Sequence, residues 1–193
     1  DTLSGEINSG TIQTVVSKPV PRWQIVLGKW LGFSGMLSLY LLLMAGGVTF
    51  VGYLVADTVV PNLVQGVLLM WLIILLLLSV SLLGGTILST LANGVLIFGL
   101  FGIAFIGGWI EQIGAFLNNQ AAVNVGIVTS LLLPSEAMWR RAAFEMQSTL
   151  VKAMGVSPFT SNSAPSLVMV GYAVVYLMVV LLLAMRQFGR RDL

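Results

Sequence analysis

Long apolar runs separated by short polar breaks dominate the chain. Residues 30–56 contain no charged side chain, and neither do residues 58–110. An α-helix rises about 1.5 Å per residue, so about 20 residues cross the hydrocarbon core of a bilayer. The second run is too long for one crossing, and the Leu-Ala-Asn-Gly sequence at 91–94 is its natural break. A further apolar run follows Pro165 and ends at Arg186.

This pattern predicts an all-α, polytopic membrane protein that forms a single membrane domain. The four predicted transmembrane spans cover residues 24–56, 64–90, 95–115 and 166–186. The composition supports this interpretation. Hydrophobic residues make up 58% of the chain and charged residues only 8%, whereas about 25% of the residues of a typical soluble domain are charged.

The segment 116–165 departs from the pattern of full spans. Its apolar part, Ala121–Leu133, has only 13 residues, a length that suits a re-entrant or interfacial helix better than a crossing. Ser135–Leu150 is predicted to be an amphipathic helix, because its apolar residues recur every four positions. Three charged residues are expected elsewhere on the surface of that helix: Glu136, Arg140 and Arg141.

Positive charge flanks the first and the last span. Three basic residues lie in the segment that leads into the first span, and three more lie in or beside the tail 187–193. Cytoplasmic segments of membrane proteins are enriched in Lys and Arg. We therefore predict that both the segment 1–22 and the tail are cytoplasmic, and that residues 116–165 lie on the extracytoplasmic side of a plasma membrane.

The chain lacks the residue types that most catalytic and metal sites need. It contains neither cysteine nor histidine, which removes thiol nucleophiles, the commonest metal ligand and the commonest general base. It also lacks a Gly-rich nucleotide-binding loop of the form G-x-x-x-x-G-K-[ST]. We expect no enzyme activity, no cofactor and no metal site. The net charge of +2 is too small to indicate a nucleic-acid partner.

Ionisable groups are scarce in the predicted spans. Between Lys29 and Glu111 the only formal charge is Asp57, in a predicted turn. Carriers driven by protons or sodium usually place ionisable groups inside the membrane, so this pattern favours energy supplied by a partner. Glu111 itself, with Gln112 at the outer end of the third span, is interpreted as an interfacial residue; a role in lining an exit path is the alternative.

The polar opening segment is predicted to be a cytoplasmic helix joined to the first span. Residues 6–16 can form a short helix with its apolar side chains on one side, and Pro19 and Pro21 end it. Arg22 and Lys29 then anchor the start of the span at the headgroup level. The alternative on pattern alone is an ordinary amphipathic helix that lies on the membrane surface.

Motifs in this segment resemble a permease signature. They read Glu6-Ile-Asn-Ser-Gly10-Thr11-Ile12, then Val16-Ser-Lys-Pro19-Val-Pro-Arg22, then Ile25-Val-Leu-Gly28-Lys29. Their order resembles that of ATP-binding-cassette (ABC) permeases of the type-2 exporter class, which include multi-copper-maturation and sodium-export relatives. The tail Phe188–Leu193 is similar to the ending of that family.

The resemblance implies that the opening segment is the coupling helix between the second and third of six spans. We therefore expect two further spans to precede the sequence given. The implied site residues are Glu6, Gly10 and Thr11, in a groove of the nucleotide-binding subunit, and Pro19, Arg22 and Lys29, at the junction with the membrane. Simpler roles stay open: Gly10 could supply only flexibility, and Arg22 and Lys29 could be plain interface anchors.

The resemblance also implies a function. The chain would be the permease subunit of an ABC transporter, working by alternating access with a separate ATPase subunit and with a second permease, identical or paired. A passive membrane channel or facilitator is the alternative. A membrane enzyme acting on lipid is a further rival, against which the absence of histidine and cysteine weighs.

Overall fold

The computed structural model describes residues 3–16, 20–57, 59–148 and 165–190, and the regular elements in these ranges are all helices. The predicted all-α class is confirmed for this part of the chain. The helices are α1 (Leu3–Asn8), α2 (Ile12–Val16), α3 (Arg22–Ala56), α4 (Leu63–Ile87), α5 (Thr90–Phe116), α6 (Gln120–Leu132), α7 (Ser135–Met146) and α8 (Leu167–Gly189). Predictions that concern residues 17–19 and 149–164, including the role of Pro19, lie outside the described residues.

Helices α3, α4, α5 and α8 are long and apolar enough to cross a bilayer, which confirms four spans. One boundary was predicted wrongly. Helix α4 ends at Ile87 and α5 begins at Thr90, so the break precedes the expected position at 91–94. Asn93 lies inside the first turns of α5, where its amide donates a hydrogen bond of 2.9 Å to the Ser81 carbonyl. This asparagine joins two spans instead of marking a loop.

Helix α4 is at the centre of the bundle and packs against α3, α5, α7 and α8. Its contact with α3 has a regular antiparallel register. The Trp30 indole of α3 donates to the Ser79 hydroxyl at 2.9 Å, and the Trp71 indole of α4 donates to the Ser38 hydroxyl at 2.7 Å. Eight residues separate the two partners on each helix, so the same register holds over about 12 Å.

The C-terminal half of α3 is largely uncovered. Val48 and Val55 are 73% and 82% exposed. Large apolar surfaces of this kind are normal where a helix faces lipid or another membrane helix.

The two ends of the bundle differ. At one end, here called the near end, α3 and α5 begin while α4 and α8 finish. The helix pair α1–α2 packs there: Leu3 and Ile12 share a buried apolar cluster with Val26 of α3 and Phe188 of α8. The opening segment and the end of α8 therefore lie on the same side of the bundle.

Helices α6 and α7 form a re-entrant hairpin that starts and finishes at the opposite, far end. Helix α6 runs back along α5, with Ala122 packed on Gly114, and α7 returns along α4, with Met146 packed on Gly66. A bend of 104° separates the two helices. At the tip, Leu133 is buried midway through the bundle. The pair has the shape of a re-entrant loop or of a broken span; the re-entrant interpretation, after which the hairpin is named here, stays a prediction.

Candidate functional site

The opening segment is not the single helix expected over residues 6–16. Helix α1 ends at Asn8 and α2 begins at Ile12, with a tight turn between them. Gly10 in this turn has φ = 75°, a left-handed conformation that glycine adopts readily and that breaks a helix. The Ser9 hydroxyl reinforces the turn, since it lies 2.7 Å from Thr11 Oγ1. The continuous apolar pattern concealed this break.

The inner side of the helix pair is docked on protein. Leu3 and Ile12 are almost fully buried, and the Ser4 hydroxyl lies 3.1 Å from Thr90 Oγ1 at the start of α5. A Cβ on Gly85 of α4 would lie 3.5 Å from the Ser4 nitrogen. Leu3, Ile7 and Ile12 therefore pack on the bundle, which does not fit a helix that merely lies on a lipid surface.

An ion pair fastens α1 to the first span. Lys29 Nζ lies 2.5 Å from Glu6 Oε1, and the side chains are only 19% and 27% exposed, respectively. Both residues were predicted to serve the coupling to an ATPase, Glu6 in the partner's groove and Lys29 at the membrane junction. The structure brings them together within the chain, so the Glu6 carboxylate is directed at α3 instead of away from the bundle.

The other predicted site residues lie at the turn and at the junction. Thr11 is exposed beside the half-buried Gly10, and Arg22 is the first residue of α3. Gln13 and Thr14 are also exposed. The outer surface of the helix pair, defined here as Ser9, Thr11, Gln13 and Thr14, is polar and carries no charge.

A second polar site lies inside the far half of the bundle, and the sequence analysis missed it. Arg140 Nη2 of α7 donates a hydrogen bond of 2.8 Å to Glu111 Oε2 of α5. Glu136, one turn before Arg140, is only 5% exposed, and Arg140 is 7% exposed. We call Glu111, Glu136 and Arg140 the buried charge cluster.

The surface positions predicted for Glu136 and Arg140 are therefore wrong. The apolar period correctly identified one buried face of α7, where Met138 and Ala142 are completely covered. The opposite face is also covered, because the re-entrant hairpin inserts α7 between α4 and α5. A helix packed on two sides buries residues that its sequence pattern marks as exposed.

Glycines allow this close packing. A Cβ added to Gly108 of α5 would lie 2.5 Å from Cγ of Glu136, and one added to Gly126 of α6 would lie 2.3 Å from Cβ of Glu111. Real Cβ atoms do not approach so closely. The buried charge cluster therefore depends on a missing side chain at the α5–α7 contact and on another at the α5–α6 contact.

Comparison with known proteins decides the family. A family model described as ABC-2 family transporter protein matches residues 1–193, the whole sequence given. The chain belongs to the ABC-2 transporter family. Searches of curated proteins and of solved structures found no significant match. The family match and the four apolar helices make this ABC-2 chain a multi-pass membrane permease component of an ABC transporter.

Membership in the ABC-2 family supports the expectation that the permease and the ATPase are separate subunits. Its permeases are transmembrane components that normally work with an ATPase subunit and do not hydrolyse ATP themselves. The two sites of this ABC-2 permease lie in different halves of the bundle. The helix pair docks at the near end, and the buried charge cluster belongs to the far half.

Glu111, which was predicted to be interfacial, pairs its carboxylate with a buried guanidinium, and its position relative to the membrane stays a prediction. The expectation of few ionisable groups concerned only the spans, whereas two of the three charges of the cluster reach the interior of the ABC-2 permease on the re-entrant hairpin. The glycines at 107, 108, 114 and 126 were the available signal, since a series of small residues favours close helix contact.

The tip of the re-entrant hairpin is fastened to α8. The Tyr172 hydroxyl donates a hydrogen bond of 2.6 Å to the Leu131 carbonyl, one of the last carbonyls of α6, which have no partner within their own helix. In and after the tip, three buried polar atoms have no hydrogen-bond partner in the part of the chain that the structure describes: Ser130 Oγ, Ser135 Oγ and Arg140 Nε.

Proposed function

We propose that this ABC-2 permease moves its substrate by alternating access, driven by ATP hydrolysis in a partner ATPase subunit, and that the helix pair α1–α2 receives the motion of that partner. The observation that carries the proposal is the docking of the pair across the near end. Its inner side reaches all four spans: Val26 of α3, Leu82 of α4, Thr90 of α5 and Phe188 of α8.

The contacts of Glu6 and Lys29 refine the role of each residue. Their ion pair connects α1 to α3 directly, so a displacement of the helix pair is transmitted to the first span without relying on residues 17–19. We propose that Glu6 and Lys29 transmit the motion, whereas the outer surface, with Gly10 and Thr11 at its turn, contacts the ATPase. The near end would then be cytoplasmic and the membrane a plasma membrane.

The oligomeric arrangement follows from the same proposal. Two ATPase subunits close on each other around ATP, and each of them would act on one helix pair. A second permease, identical or paired, would supply the other one. The subclass within the type-2 exporters and the two preceding spans stay expectations from the resemblance.

Co-purification with the candidate ATPase tests the assignment. Thr11→Arg/Gln13→Arg changes only the outer surface and should release the ATPase. The matched control Gln120→Arg, an exposed polar residue at the far end, should retain it. Glu6→Gln/Lys29→Met should also retain the partner, but transport in vesicles should no longer follow ATP hydrolysis.

Two results would overturn the proposal. If Thr11→Arg/Gln13→Arg retains the ATPase as well as wild type does, the outer surface is not the docking surface. If wild-type vesicles transport substrate equally well without ATP, the chain is a passive channel or facilitator.

A further inference from the structure

The buried charge cluster is unusual in its surroundings. Glu111 and Arg140 face each other at 2.8 Å across α5 and α7. Gly108 of α5 lies against Glu136, with the position of an added Cβ 3.0 Å from Glu136 Oε1. Glu136 lies one turn before Arg140 on α7, so two carboxylates and one guanidinium are neighbours in the cluster, and the ion pair of Arg140 is the one with Glu111.

The packed elements supply no further charge to balance the cluster. Helices α4 and α6 contain no charged residue, and the only one in α8, Arg186, lies towards the near end. From α8 the titratable groups on this side are Tyr172 and Tyr176, whose hydroxyls are neutral in ordinary conditions.

The neighbouring Arg141 is engaged elsewhere. It donates to the Pro165 carbonyl at 2.5 Å and to Glu145 at 3.4 Å. Among the described residues the cluster thus has a net charge of −1 when both carboxylates are ionised. A net charge in a low-dielectric interior is costly.

A second, independent observation indicates that something is bound here. Arg140 is more than nine-tenths buried, and its Nε–H has no acceptor among the described residues, although Nη2 of the same guanidinium bonds Glu111. Ser135, directly before Glu136, is 1% exposed, and its hydroxyl also has no partner in the described ranges. Buried polar groups of this kind are normally satisfied by ordered water.

We propose that Glu136 is a proton-binding site within the membrane domain of this permease. The Glu136 carboxylate takes a proton from water that enters from the far end, forming an O–H bond, and returns it to water on release. No electron transfer is involved. The bound proton makes the cluster neutral. Water held by Arg140 Nε–H and the Ser135 hydroxyl provides the path for exchange.

A proton fits the site better than a metal ion. No group of three or more acidic residues able to hold a metal occurs in the described ranges. The Gly108 backbone also packs directly on Glu136, which leaves little space for a cation with several ligands. The proposal does not depend on the ATPase, and its test requires none.

Infrared difference spectroscopy of the permease in lipid vesicles tests the proposal, with the pH stepped from mildly acidic to alkaline. Wild type should lose one C=O stretching band of a buried protonated carboxyl as the pH rises. Glu136→Gln, which resembles the protonated side chain in shape, should lack that band entirely. Glu145→Gln, a carboxylate paired outside the cluster, should keep it at full intensity.

A third variant changes the net charge of the buried charge cluster. Glu111→Gln leaves one carboxylate and one guanidinium, so Glu136 no longer needs a proton at neutral pH. Its band should then appear only in more acidic solution. The proposal is overturned if wild type shows no such band, if Glu136→Gln keeps it, or if Glu111→Gln titrates as wild type does. Should Glu136→Gln fail to fold, the Glu111→Gln titration decides.

Discussion

Glu6 and Lys29 lie 23 positions apart in the sequence and form an ion pair of 2.5 Å at the near end of the bundle. This contact joins a short helix that would be unstable alone to a 35-residue membrane helix. Isolated helices of six residues do not persist in water. The position of α1 therefore depends on its contacts with the bundle.

Removing one partner of this pair should loosen α1. We expect Lys29→Met to raise the rate of amide hydrogen exchange in residues 3–8, with a loss of about 1 kcal/mol for a partly exposed ion pair. Mass spectrometry of the N-terminal peptide measures the rate. The charge-swapped variant Glu6→Lys/Lys29→Glu should recover most of the protection. Equal protection in Lys29→Met and wild type would contradict the prediction.

The indole of Trp30 should stabilise the α3–α4 contact through Ser79. Ser79→Ala leaves the half-buried Trp30 N–H without its acceptor, which should cost about 1–2 kcal/mol in unfolding free energy. Intrinsic tryptophan fluorescence in detergent follows the transition. The double variant Trp30→Phe/Ser79→Ala should lose less unfolding free energy than the two single variants lose together, because it leaves no indole N–H without an acceptor. Strict additivity would show that the two side chains act independently.

The close approach of α6 to α5 should not tolerate a methyl group. A Cβ at Gly126 would lie 2.7 Å from the Gly107 carbonyl oxygen, and backbone atoms yield less readily than side chains. We expect Gly126→Ala to destabilise the protein by about 1–3 kcal/mol. The matched control is Gly99→Ala in α5, which meets no atom within 4 Å and should be neutral or stabilising. A thermal denaturation series that ranks the two in the opposite order would refute the contact.

Both ends of the re-entrant hairpin should lie on the same side of the membrane. The chain has no cysteine, so a single introduced thiol reports one site. Gln120→Cys and Gln147→Cys should both react with a membrane-impermeant maleimide added from one side, and Ser9→Cys only from the other. Labelling of Gln120→Cys and Gln147→Cys from opposite sides would make α6–α7 a bent crossing.

The guanidinium of Arg140 should be essential to the fold of the far half. Arg140→Met leaves two carboxylates buried without a cation, which should cost about 3–5 kcal/mol. Chemical denaturation in detergent gives the difference. Arg140→Met/Glu111→Gln removes one of the stranded charges and should regain part of the loss. If the double variant is less stable than Arg140→Met, the unpaired carboxylates are not the cause of the stability that Arg140→Met loses.

The spans were predictable because bilayer thickness imposes a length on every crossing, and charge-free runs of that length are rare elsewhere. The 13-residue length of the segment up to Leu133 indicated the re-entrant hairpin by the same reasoning. The start of α5 was harder. Asn93 and Gly94 are typical of a turn, but in the bundle the Asn93 side chain finds a carbonyl on α4, and tertiary contact overrides the local preference.

The buried charges could not be predicted from helical periodicity. A periodic pattern reveals the apolar face of a helix, but it does not reveal whether a neighbour also covers the polar face. Glu136 and Arg140 are buried by the insertion of α7 between two spans, which depends on glycines about 10 to 30 residues earlier in the chain. The inward direction of Glu6 was also hidden from the local pattern, because its partner Lys29 lies 23 residues later, beyond Pro19 and Pro21.

Helix α8 contacts both the helix pair and the re-entrant hairpin. Phe188 belongs to the apolar cluster under the helix pair, and Tyr172 holds the tip of the re-entrant hairpin. Sixteen residues, or about 24 Å of uninterrupted helix, separate these two contacts. A tilt of α8 that shifts Phe188 at the near end must also displace the Tyr172 hydroxyl from the Leu131 carbonyl. The last span therefore couples the position of the helix pair to the position of the hairpin tip.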